Sequence, residues 1–264
     1  MALQLGVLVL FAVVAVVVFV VGDRIRPKSW RHGDDKAAGN MVLDLVNMFF
    51  AAIVAFIVVI LWQQYDDTHA HTIAEGKALT TVYEAANTLP EPSRSQIQSL
   101  TRAYTEEVVG QEWKVMANDS KLSQPTQDTF DNIRAAVSGV QSTDPDVKDL
   151  QSKADAALDA AAEARYDRGI DAEYHLPTFL YVALWFGTVM LLIGTVLSGV
   201  VVTRRSVIMT GLFGMVIGAV IVAVYQLDRP FAGGNTVSKD AFELALSRFQ
   251  HITASGAPSS GLPR

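Results

Sequence analysis

Four stretches of this 264-residue chain are apolar almost without interruption: residues 3–21, 41–62, 178–202 and 207–227. Each holds about twenty residues, enough at ~1.5 Å per residue to cross a ~30 Å hydrocarbon layer. The second, MVLDLVNMFFAAIVAFIVVILWQQY over residues 41–65, organises the others. Past Trp62 and Tyr65, which suit a water–lipid interface, it runs into DDTHAHTIAEGKALTTVYEAANTL without a breaker. The pattern therefore predicts one helix continuing to residue 89. LPEP then stops it, because proline lacks an amide donor and disfavours helix in the residue before it. Residues 3–21 have the length of a secretion signal's apolar core or more. They lack a basic leader and a small-x-small cleavage site before Asp23, and are read as a retained span.

Between the second and third spans the period changes to that of water-soluble amphipathic helices. Ser93 with Gln96 has the spacing of a capping box opening a helix to about residue 116. NDSKLSQP reads as a turn. A helix over 126–140 carries Phe130, Ile133, Val137 and Val140 on one stripe. Asp144-Pro145 opens an Ala-rich helix, DLQSKADAALDAAAEARYDRG, that is expected to pack antiparallel to the extension of the second span. The fold class is thus an all-α integral membrane protein, four transmembrane helices with a helical-bundle stalk inserted between the second and third. Expected divisions are 1–65 (spans one and two), 66–176 (acidic stalk), 177–228 (spans three and four), 229–253 (a post-membrane motif and an amphipathic helix) and 254–264 (a disordered tail). The amphipathic helix, capped by Ser238, would present Phe242, Ala245, Leu246, Phe249 and Ile252 either to the membrane surface or to the stalk.

Charge refines this picture. The chain carries −6 formally, whereas residues 66–176 hold 20 acidic and 10 basic side chains. Such acidity argues against a nucleic-acid partner. Arg24, Arg26, Lys28, Arg31 and Lys36 fill the first loop, and Arg204 and Arg205 the third. By the positive-inside rule these loops are cytoplasmic, and the stalk and both termini lie outside a plasma (cell) membrane. Trp30 in the first loop is read as an interfacial anchor. There is no cysteine, which removes disulfides and thiolate chemistry.

Candidate sites are few. Asp44 and Asn47 share a face of the second span near its start, where Asp44 either stabilises the helix N-terminus or lines a polar vestibule. Ala51, Ala52 and Ala55 make a small-residue strip. Gly194 with Ser198, and Gly214 with Gly218, have small-xxx-small spacing, alongside Gly187, Gly199 and Gly211. They predict a tight hairpin of the last two spans across residues 203–206. Asp67, His71 and Glu75, four apart, share a helix face that is metal-capable or pH-responsive, and more simply a solvated surface. Glu106, Glu107, Glu112 and Trp113 read as helix surface. No nucleophile triad, phosphate loop, metalloprotease motif or cofactor-binding pattern occurs, so the chain is not read as an enzyme.

Three segments carry a family resemblance: WQQYD ending the second span, LPEPSRSQIQSLTRAYTEEVVGQEW in the insert, and LDRPFAGGNTVSKDAF after the last span. Together they resemble the bestrophin-like family of bacterial membrane proteins, and the order of spans is similar to that of true bestrophins. The resemblance implies a homo-oligomer, five subunits around an anion pore whose hydrophobic neck is on the second span. WQQYD is similar to the segment ending that pore helix, and Asp228-Arg229-Pro230-Phe231 to the Asn-Pro-Phe-Gly run after the last bestrophin span. Asn47, Met48, Ala52 and Phe56 are the neck candidates, the last three forming an i, i+4, i+8 set. Two features depart from the family. The acidic calcium clasp is reduced to Asp240, and bestrophins keep the large domain in the cytoplasm.

Two functions follow. One is an ion channel gated by a hydrophobic constriction, with an acidic mouth favouring cations. The other is a non-conducting membrane protein whose stalk docks a protein partner. In both, the lipid bilayer is the first partner.

Overall fold

The computed structural model describes residues 2–26, 36–198, 200–232 and 236–256. Lys28, Trp30 and Arg31, Gly199, Gly233, Gly234 and the tail beyond residue 256 lie outside them. The described elements are helical, in the order α1 (Ala2–Ile25), α2 (Lys36–Asn87), α3 (Ser93–Glu107), a π-helical turn (Val108–Glu112), α4 (Trp113–Asp119), α5 (Gln124–Ser138), α6 (Pro145–Glu173), α7 (Thr178–Leu197), α8 (Arg204–Leu227) and α9 (Asp240–Gly256). Among the described residues, four helices are long and apolar enough to span a membrane. The chain forms two compact units: Met1–Gln63 with His175–Asp228, and Gln64–Tyr174 with Arg229–Arg264. The 52-residue α2 contributes to both.

In the first unit, Phe50, Ile57, Leu61, Leu180, Leu184, Leu191, Ile217 and Ile221 form the shared apolar core. Small residues set how closely the helices approach, but not in the expected pairing. A methyl added at Gly214 would lie 2.6 Å from Ala15 Cβ and from the Phe11 carbonyl oxygen, and one at Gly218 would lie 3.1 Å from Phe11 Cβ. Both glycines therefore face α1. Gly187 admits the Phe50 ring, and Gly194 admits Leu43, so α7 uses its glycines against α2. The predicted glycine-mediated hairpin of α7 on α8 is corrected accordingly: the backbone and Ala15 of α1 approach the α8 glycines, and the Phe50 and Leu43 side chains of α2 fill the notches on α7. Between α7 and α8, Tyr181 and Tyr225 meet with ring centroids 5.4 Å apart. The turn joining them is closed by a capping box of Thr203 and Ser206. Asp228 ends α8, accepting from the Leu176 amide (2.6 Å) and the Tyr181 hydroxyl (2.7 Å), with His175 Nδ1 at 3.7 Å.

In the second unit, α2 and α6 run antiparallel, since Gln64 and His71 reach Asp171 while Glu75 reaches Arg168. The alanines of α6 make this approach possible: Ala154, Ala157, Ala161 and Ala164 are buried. The Asp144 carboxylate caps α6 through the Asp146 amide (3.0 Å). Ser93 makes no comparable cap. Pro92 holds the N-cap position of α3 without a side-chain bond, so the Ser93–Gln96 capping box is not formed. Ser120 closes α4 in a left-handed conformation, φ 55°. On α9, Phe242, Ala245, Phe249 and Ile252 are buried in the core of this unit, and Phe249 stacks on Tyr83 at 4.2 Å. Of the two expected locations for α9, the packed one is realised, and the helix extends to Gly256 rather than ending at 253.

The close approach at Gly214 gives a direct test. Gly214→Val should lower the thermal midpoint of detergent-purified protein, by the ~1–3 kcal/mol typical of an overpacked core. Gly211→Ala should not, because its methyl meets only Val16 at 3.5 Å. Equal midpoints for the two variants would contradict the α1–α8 packing.

Candidate functional site

The neck candidates lie on α2, and its two sides differ sharply. At ~100° per residue, Ile57 and Leu61 fall within about 20° of Phe50, and all three are buried. Met48, Ala52 and Val59 fall within about 20° of the opposite direction, and Phe56 about 60° from it. That opposite face is bare: Met48 is 68% exposed, Phe56 58% and Val59 54%. Met48, Ala52 and Phe56 thus share the exposed side as their spacing predicts. Asn47 is turned away from them. With Asp44 it lines a cavity among α2, α7 and α8. Because α2 opens at Lys36, Asp44 stands about two turns inside the helix.

The second unit contains a buried ionic cluster that the sequence reading missed. Arg165, Arg168, Glu75 and Glu112 are all at most 2% exposed. Arg168 Nε and Nη2 donate to the two Glu75 oxygens at 2.8 and 3.1 Å, and Nη2 also donates to Glu112 Oε1 at 2.8 Å. Arg165 forks onto Glu112 through Nη1 (2.7 Å) and Nη2 (2.8 Å), donates to Tyr104 Oη at 2.9 Å, and uses Nε on Gln127 at 2.9 Å. The Tyr104 hydroxyl donates to Glu75. The Ser123 amide donates to Glu112 at 3.0 Å. Two positive and two negative charges cancel, and bidentate geometry offsets much of the desolvation cost.

Why Glu112 points inward follows from the local backbone. The π-helical turn at Val108–Glu112 inserts an extra residue into the helix, which rotates Glu112 and Trp113 towards the core. Lys239 Nζ donates to the Val109 carbonyl at 2.9 Å, lies 5.8 Å over the Trp113 ring, and so satisfies the disturbed turn. The expectation that Glu112 and Trp113 mark a helix surface is therefore wrong, although Glu106 is exposed. An alternation of Glu75, Tyr104, Glu112, Arg165 and Arg168 on otherwise apolar helix faces was the available signal. Only the bulge makes it converge. Burial would raise the Glu112 carboxyl, but Arg168 and Arg165 outweigh it and hold Glu112 below the usual carboxylate range. Burial and the Glu75 carboxylate push the Tyr104 phenol well above its ordinary value.

This cluster also removes Glu75 from the Asp67–His71–Glu75 face as a metal ligand. The Glu75 carboxylate is committed to Arg168 and Tyr104, and His71 Nδ1 lies 2.7 Å from Asp171 Oδ2. Asp67 is exposed. Among the described residues no group of three or more His, Cys, Asp or Glu is placed to hold a metal. In the post-membrane motif, Asp228 ties the entry to α7 as described, Arg229 is exposed, the Pro230 carbonyl accepts from the Val237 amide (2.8 Å), and Phe231 meets the edge of Trp113 at 5.3 Å.

Comparison with known proteins supplies the wider setting. The family model described as a Bestrophin-like domain matches residues 9–242. A crystal structure described only as that of a membrane protein superposes with a TM-score of 0.69 at 12% identity, covering 93% of this chain and 98% of its own. At that identity the likeness is one of fold. No curated protein matches the chain.

Glu112→Gln should destabilise the protein by about 3–5 kcal/mol, because it leaves two guanidinium groups with one buried carboxylate between them. Glu84→Gln, whose partner Arg248 is exposed, should change little. The pH sense is fixed by the lowered Glu112: its contribution is complete above the unfolded carboxylate value of 4.5 and falls away as pH drops through the folded one. Denaturant midpoints of the two variants between pH 7 and pH 3 check all three statements.

Proposed function

The chain belongs to the bestrophin-like family, and from that premise we propose that it forms a homo-oligomeric ring, pentameric by the family resemblance, around an ion path lined by α2. The observation that carries this reading is the bare face of α2: Met48, Ala52 and Val59 oppose the buried Phe50, Ile57 and Leu61 on one helix. A rotation-symmetric ring would give that face a common axis to surround. The constriction is assigned to Met48 and Ala52, with Phe56 at its flank, and gates by dewetting. Asn47 is assigned outside it, because it lines the cavity among α2, α7 and α8.

Orientation is assigned from the loops. Arg26 Nη1 donates to the Val196 carbonyl at 3.2 Å, which supports grouping the basic end of α1 with Arg204 and Arg205 at the start of α8. That end is assigned to the cytoplasm, and residues 66–176 and both termini to the other side of the cell membrane.

Planar-bilayer recording of the purified protein tests the channel reading. Ala52→Ser should raise open probability or conductance severalfold by wetting the neck. Ile57→Ser should instead impair folding, since Ile57 is fully buried. Silence of both the unaltered protein and Ala52→Ser, across ionic and voltage conditions, would favour the non-conducting, partner-docking alternative.

A further inference from the structure

The cavity among α2, α7 and α8 measures about 1110 Å³, at or beyond the top of the ~300–1,000 Å³ range of small-molecule sites. Its lining is sorted by polarity along the helices. Asp44, Asn47, Thr195, Thr203, Arg205 and Thr210 are among its polar residues, with Ser198 and Ser206 beside them. Leu43 packs on Gly194 and Phe50 on Gly187, so the start of the apolar part of α2 is level with the end of α7. A short connection joins the end of α7 at Leu197 to the start of α8 at Arg204. These polar residues therefore gather at one end. Beyond them the walls are Phe50, Val54, Phe213, Val216 and Val220.

Such a division matches an amphiphile, with its head among the polar residues and a chain along the apolar wall. The charges narrow the choice. Asp44 and Arg205 are opposite in sign and both line the cleft. A purely anionic head would leave the Asp44 carboxylate facing like charge. A zwitterionic head satisfies both: its phosphate accepts from the Arg205 guanidinium, and its ammonium donates to Asp44 and Asn47. A primary ammonium offers three N–H donors, whereas a quaternary one offers none. We propose that this cleft binds one phospholipid bearing a phosphoethanolamine head, held between Asp44 and Arg205. This does not depend on whether α2 lines a conducting path.

Native mass spectrometry of the full-length protein with added phosphatidylethanolamine, phosphatidylcholine and phosphatidylglycerol of identical acyl chains tests it. One phosphatidylethanolamine per protomer should be retained, about tenfold more tightly than phosphatidylcholine, the ratio of one charge-assisted hydrogen bond. Asp44→Asn should erase the preference for the primary amine, and Arg205→Gln should weaken all three lipids by about tenfold. Ala51→Trp, which fills the cleft, should exclude them. Equal affinity of the unaltered protein for the three heads, absence of retained lipid, or a second copy's helix occupying the cleft in an image of the oligomer would each overturn the proposal. The headgroup comparison needs no variant and decides the matter even where a substitution impairs folding.

Discussion

The second unit depends on one arrangement, the guanidinium of Arg168 held between Glu75 and Glu112 with Arg165 completing the square. It joins α2, the π-helical turn and α6 at a place where no solvent screens the charges. Taking one member out leaves a buried charge without its partner, so the cluster acts as a register device. Helices of Ala-rich sequence slide easily, because alanine offers little relief. A bidentate contact fixes α6 against α2 to one position. The cost of burying four charges is offset by geometry: Tyr104, Gln127, Ser123 and Met116 take up remaining donors and acceptors.

The first unit relies on a different constraint. In lipid, apolar helices gain little from being near one another, so close approach through small residues matters most. Gly214 and Gly218 let α1 lie against α8, and Gly187 and Gly194 let Phe50 and Leu43 of α2 seat on α7. What is left over is informative. One face of α2 is spent on this packing, and the opposite face, with Met48, Ala52 and Val59, is left exposed among the described residues of the unit.

How much of this was legible in the sequence varies with the range of the interaction. The four spans, the break at LPEP and the Asp144 cap are local signals and were readable. The buried stripe of α5 was readable too, because Phe130, Ile133 and Val137 repeat at helical spacing. The glycine spacing was visible, but not which helix would fill each notch, since that depends on the arrangement of four spans. Glu112 was misread for a similar reason. Its inward turn comes from a π-bulge stabilised by Lys239, 127 positions later, and residue-by-residue periodicity assumes a regular helix. Of the neck candidates, Met48, Ala52 and Phe56 do share a side, and Asn47 does not join them.

The natural absence of cysteine provides the most direct measurement. Single cysteines introduced at Met48, Ala52, Val59 and Ile57 in protein reconstituted into vesicles can be probed with a charged, membrane-impermeant thiol reagent. If α2 lines an aqueous path, the first three react and their modification changes ion flux, while Ile57→Cys stays protected. Should Met48→Cys, Ala52→Cys and Val59→Cys react only with lipid-soluble reagents, that face of α2 meets lipid and the axial path does not exist.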